Sequence, residues 1–229
     1  MTGLGRLYLK ELREHRFLLG GTIGSVACLY GYILIGVKGE VSTLLLASFP
    51  GLTTTAVLTF GLISAFWGEW KGSTHYLLLS LPVSRVAIPL SKYLSILTAG
   101  TIVYLTAILS ILSLNVPLAA STQILKQLQL DPKTLMIFLC TEWFALLVLL
   151  LGVVVACVSL RYAVTKARSS IIGSFLILLF ICYWYFLGDF SELMGEEIGF
   201  FRSQIIYTFL FGLVNTIAGL VLFHKRAEI

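Results

Sequence analysis

The sequence predicts an all-helical, polytopic integral membrane protein, on three observations. Of its 229 residues 58% are hydrophobic and only 12% charged, against the roughly 25% charged residues of soluble domains. Its mean hydropathy of +0.97 reflects more apolar surface than a water-soluble fold of this size can hide. Several uninterrupted apolar stretches reach about 20 residues, which at 1.5 Å rise per residue matches the ~30 Å hydrocarbon core of a bilayer.

Six membrane spans are expected, over 17–37, 44–67, 93–114, 135–160, 169–187 and 205–223, within a single transmembrane domain covering 1–229. Residues 1–16 precede the first span. There Leu4, Leu7, Tyr8 and Leu12 fall on one helical face and Arg6, Lys10 and Arg13 on the other. That pattern fits an amphipathic elbow lying in the headgroup layer, and it fits equally a basic anchor that only sets topology. A cleavable signal peptide is not expected, because a long span follows a mixed charged and apolar start and the small-residue cleavage pattern is missing.

The net charge of +5 has a topological meaning. Basic residues are scattered between spans and form no stripe for nucleic acid, so none is expected as a partner, whereas membrane lipid is. Twelve Lys and Arg, in the N-terminal segment, the 68–92 loop, the 161–168 turn and the tail, fall on one side, against Lys38, Lys126, Lys133 and Arg202 on the other. The richer side is normally cytoplasmic. Both termini should then be cytoplasmic, in the cell membrane of a prokaryote, with Asp189, Glu192, Glu196 and Glu197 outside.

No metal or cofactor is expected in this chain. Cys28, Cys140, Cys157 and Cys182 lie in separate apolar spans without C-x-x-C spacing, as small packing residues do. The histidines His15, His75 and His224 all lie on the expected cytoplasmic side, with no metal-holding carboxylate set around them. A phosphate-cradling loop is also missing: Gly68 and Gly72 lie close together, but the spacing fails and no Lys follows Gly72. This chain is therefore read as no enzyme, and any ATP hydrolysis belongs to a separate polypeptide. One enzymatic alternative is an intramembrane protease of the prenyl-protein type, because Glu196-Glu197 followed by Arg202 approximates its Glu-Glu-x-x-x-Arg motif. The spacing is one residue too long, and an acidic solvated loop explains the segment as well. A stand-alone secondary transporter is another alternative, but it would normally need ionisable groups or broken helices at the midplane.

The loop 68–92 is the most informative stretch. Gly72 frees the backbone, Ser73 or Thr74 can cap a short helix, Pro82 stops it, and Ser84 can cap the restart into the next span. A short helix with Leu77, Leu78 and Leu81 is a natural docking element, although burial against its own membrane domain explains it too. Within the spans, Glu142 beside Trp143 is either an interfacial residue or a carboxylate on a transport path. Asn215, mid-span, is expected to bond across to a neighbouring helix, with a place on a transport path as the alternative.

In order along the chain come Glu69, Gly72-Ser73, Leu78-Leu79-Ser80-Leu81-Pro82-Val83-Ser84-Arg85 and Ser91-Lys92, preceded near the N-terminus by Lys10-Glu11-Leu12-Arg13-Glu14. This order resembles the type-2 ABC exporter permeases, whose size and six-span layout are also similar. The resemblance implies a homodimer or heterodimer of permeases on two cytoplasmic ABC ATPase subunits, which bind the ATP-Mg and drive export of a substrate. It implies that the 68–92 loop is the coupling element, with Glu69 helping to hold it and Gly72, Ser73, Leu77, Leu78, Leu81, Pro82, Ser84 and Arg85 engaging the ATPase. It also implies an external segment over 188–204 that often dips back as a gate, which Asp189 or Ser191 would cap and Gly195 and Gly199 would bend.

Overall fold

The computed structural model describes residues 3–17, 20–26, 28, 43–71, 84, 86–113, 132–164, 167–193 and 200–226. Described residues in regular structure are all helical. The helices are α1 (Gly3–Glu14), α2 (Thr43–Lys71), α3 (Ala87–Ser113), α4 (Pro132–Ala163), α5 (Arg168–Leu193) and α6 (Phe200–Arg226), with a further helical stretch at 20–26. Five of these are long and apolar enough to cross a membrane, through Gly51–Gly68, Ala87–Leu109, Ile137–Ala163, Ser169–Phe190 and Arg202–Lys225. Helices suit that solvent because each closes its own backbone hydrogen bonds within the segment. Most of the first expected span, 17–37, lies outside the described residues.

Helix α4 is the axis of the fold and packs against α2, α3, α5 and α6. On one side its Leu147, Leu151 and Val155 meet Leu58, Leu62 and Phe66 of α2 and Tyr93, Ile96, Ala99 and Tyr104 of α3. A chain of hydroxyls crosses this layer: Thr55 donates to Tyr104 at 2.6 Å, and Tyr104 donates to the Gly51 carbonyl at 3.0 Å. The Trp143 ring of α4 lies so close to Gly51 that a Cβ there would overlap it. On its other side α4 meets α6 at backbone distance, where Gly152 faces Gly212 and Gly219 faces Ala156. Helix α5 packs only lightly, on α6 and α4, and leaves Ile177, Phe180, Ile181, Trp184 and Tyr185 exposed. In a bilayer such a face is the ordinary lipid contact of an outer helix.

Two element boundaries differ from those expected. Helix α3 starts at Ala87, so Ser91 and Lys92 belong to its second turn and not to a loop. The restart is set at Ser84, whose carbonyl accepts the Ala87 amide at 2.8 Å. Pro89 stands in the first turn, where a missing amide donor costs no helical bond. Helix α5 runs on through Gly188 and Asp189 to Leu193, so neither Asp189 nor Ser191 caps a separate helix. A single helical glycine costs about 1 kcal/mol, too little to end a 26-residue helix. Gly195 and Gly199 lie outside the described residues.

Candidate functional site

Of the expected coupling residues, Gly72, Ser73, Leu77, Leu78, Leu81, Pro82 and Arg85 lie outside the described residues, as do Glu196 and Glu197. Glu69 is in the last turn of α2, and Ser84 is exposed at the approach to α3. These two therefore bracket the segment 72–83, one at each end.

The most unusual chemistry of the described residues stands where α1 meets the second turn of α3. Helix α1 lies against α3, and its Glu11 accepts a hydrogen bond from the Lys92 ammonium at 3.1 Å, with both residues at most 3% exposed. Lys92 also stands over the Phe66 ring of α2, 5.7 Å from its centroid, close enough for a cation–π contribution. Farther along α3, Tyr8 donates to Thr98 at 3.0 Å, and the Thr98 hydroxyl donates in turn to the Leu94 carbonyl at 2.7 Å. A buried, hydrogen-bonded ion pair thus ties α1 to the second turn of α3. Removing one member of such a pair typically costs about 3–5 kcal/mol, because the other charge is left buried and alone.

From the sequence alone Lys92 reads as a loop cation, and the structure corrects this: it is buried in the second turn of α3. His15 stands one turn after Glu11, its Nε2 at 3.8 Å from the Glu11 carboxylate. That separation is too long for a hydrogen bond, and both His15 Nε2 and Glu11 Oε2 are buried without a partner. Burial pushes the His15 pKa below its ordinary 6.5 and the Lys92 charge adds to the shift, while Glu11 and Glu14 oppose it. The cluster was legible in one respect. Glu11 continues the Leu4, Leu7, Tyr8 stripe at helical spacing, on the face that Leu12 shares, so a carboxylate on an apolar stripe signals a buried cation elsewhere. The partner at position 92 carries no such mark.

The two residues considered for a transport path are not brought together. Asn215 is buried and donates to the Phe211 carbonyl of its own helix at 2.8 Å, not across to a neighbour as expected. It stands between Gly212 and Gly219, at the level where α6 meets Leu149 to Ala156. Glu142 is half-buried about two turns away on α4, five positions into the span Ile137–Ala163. Arg202 stands over the Phe138 ring at 5.8 Å. No group of three or more His, Cys, Asp or Glu able to hold a metal occurs among the described residues, and all four cysteines are free.

Comparison with known proteins adds no relative: no protein-family model matches the chain, no characterised protein matches its sequence, and no solved structure matches its fold.

Proposed function

We propose that this chain is the membrane-spanning permease subunit of an ATP-driven exporter of the type-2 ABC class. The observation that supports the reading best is a contact. The two short segments that carry the resemblance outside the loop, Lys10 to Glu14 and Ser91-Lys92, lie about 80 positions apart in sequence and meet through the Glu11–Lys92 ion pair. A scattered set of motif-like residues has no reason to do so, whereas an N-terminal elbow seated on the helix that leaves the coupling loop does. In this reading a sixth span precedes α2, both termini are cytoplasmic, and two permeases sit on two cytoplasmic ATPase subunits that hold the ATP-Mg. Movement of the ATPase pushes the segment 72–85, and α3 and the α1 clasped to it shift together.

Within the segment, Leu77, Leu78 and Leu81 seat in a groove of the ATPase while Glu69 and Ser84 anchor its ends. Apolar burial supplies most of that contact, since an exposed pair from Arg85 would add only ~0.2–1 kcal/mol. The test is to purify the full-length chain from its own cells and identify any bound ATPase subunit by mass spectrometry. Partner-free chain should not hydrolyse ATP, and turnover should appear with the ATPase subunit. Leu78→Asp should abolish its co-purification and leave the permease monodisperse in detergent. Hydrolysis by rigorously partner-free chain, or a Leu78→Asp chain that keeps complex and transport, would overturn the reading.

A further inference from the structure

We propose that the crevice between α2, α4 and α5 is a binding site for one acyl chain of an anionic phospholipid, with Arg161 holding the phosphate. The crevice encloses about 400 Å³ and is walled by Ile63 and Trp67 of α2, Val154 and Val158 of α4 and Leu176 of α5, among others. Arg161 is the one charged side chain among the described residues of that lining. It belongs to the last turn of α4, 5.0 Å from the centroid of the Trp67 ring. An arginine and a tryptophan together at a helix end mark the membrane–water interface. All three walls are helices of membrane-crossing length, so an opening between them faces hydrocarbon, and Ile63, Trp67 and Leu176 are exposed at it.

The dimensions select the occupant. Along α4 the crevice runs from Leu150 to Arg161, which at 1.5 Å per residue is ~16 Å. Half of the ~30 Å hydrocarbon core is ~15 Å, the depth of a single leaflet. A chain that enters beside the polar group at Arg161 therefore ends near the midplane, as one lipid tail does. The charge selects the headgroup. A guanidinium offers a planar fork of donors that matches phosphate. Arg161 opens the turn that also holds Lys166 and Arg168, and basic residues near a membrane surface favour anionic lipid.

The site is independent of the exporter reading and is tested without ATP. The full-length chain is reconstituted in phosphatidylcholine vesicles containing a minor fraction of phosphatidylglycerol with a photoactivatable group midway along one tail. Irradiation and peptide mass spectrometry then locate the adducts. Adducts are expected in 59–67 and 150–161, at about fivefold the yield given by the same photoactivatable tail on phosphatidylcholine, the ratio equivalent to ~1 kcal/mol per basic residue at an anionic surface. Arg161→Gln should bring that ratio to about one, and Arg161→Lys should keep part of it. Val154→Trp, which fills the crevice and leaves the charge, should remove adducts of both lipids there. Equal yields from the two lipids in the unsubstituted chain would mean ordinary lipid solvation and would overturn the proposal. So would the absence of lipid adducts together with protein cross-links showing that a second copy or residues 17–37 covers the crevice.

Discussion

Burial lowers the His15 pKa from its ordinary 6.5, the Lys92 charge acts in the same direction, and Glu11 and Glu14 only partly offset the two, which has a measurable consequence. The docked α1 therefore binds a proton at His15 less readily than a free α1 does, for which the ordinary pKa of about 6.5 applies. Linkage then fixes the sign: docking is at full strength above pH 6.5 and weakens as the pH falls from there through the lowered docked value. Spin labels at the exposed positions Arg6 and Ile102, on α1 and α3, should give a narrow distance distribution at pH 7.5 that broadens at pH 5. His15→Gln should hold it narrow at both, because the uncharged amide takes up no proton. Broadening that persists unchanged in His15→Gln would assign the effect to other groups. At this scale the sequence was half legible: the amphipathic face of α1 could be read from its spacing, but the fate of Glu11 depended on a cation about 80 positions away. A buried ion pair leaves no local pattern at its distant member, since Lys92 following Ser91 reads as any loop end does.

Among the described residues, the positions of the five long apolar helices followed from hydropathy because the bilayer imposes a length on each apolar run, whereas helix ends answer to capping and to what continues beyond the hydrocarbon. Hence α3 starts at Ala87, where Ser84 closes the first turn, and α5 passes Gly188 without a break. How the helices pair was less legible, because glycine in a span means either close approach or nothing at all. The structure separates these cases. A Cβ on Gly152 would strike the Gly212 carbonyl, and one on Gly212 would come within 2.7 Å of the Leu149 backbone, while Gly173 and Gly188 have open space around them. Helices in lipid associate through such close backbone contact, since apolar burial gives little preference for a neighbouring helix over a lipid tail. Gly152→Ala must therefore push α4 from α6, and a destabilisation of about 1–3 kcal/mol is expected from overpacking. Gly173→Ala should instead be neutral or stabilising by up to ~1 kcal/mol, through helix propensity alone. Thermal unfolding in detergent, read for the two variants side by side, checks the contrast. Equal midpoints would show that α4 and α6 can part without cost.

For the whole molecule, the uneven placement of Lys and Arg is the feature of the sequence that bears most on function, because it assigns sides to every loop before any contact is known. Its consequence can be tested on described residues alone, without the first expected span. Ser84 precedes α3 and Glu192 lies in the last turn of α5, and both are exposed. Between them the chain passes through α3, α4 and α5, three helices of membrane-crossing length, and an odd number of crossings puts the two positions on opposite sides. The basic residues then say which side is which: Arg161 and the rest of the 161–168 turn join α4 to α5 on the side of Ser84, and the basic-rich side is normally cytoplasmic. Single cysteines at Ser84 and at Glu192, in a chain whose Cys28, Cys140, Cys157 and Cys182 are replaced by alanine, should report this in intact cells. An impermeant thiol reagent should label the Glu192 position directly and the Ser84 position only after the membrane is opened. Labelling of both positions before permeabilisation would remove one of the three crossings, and the reverse order would keep the crossings and invert the protein, placing the segment 72–85 where no cytoplasmic ATPase can reach it.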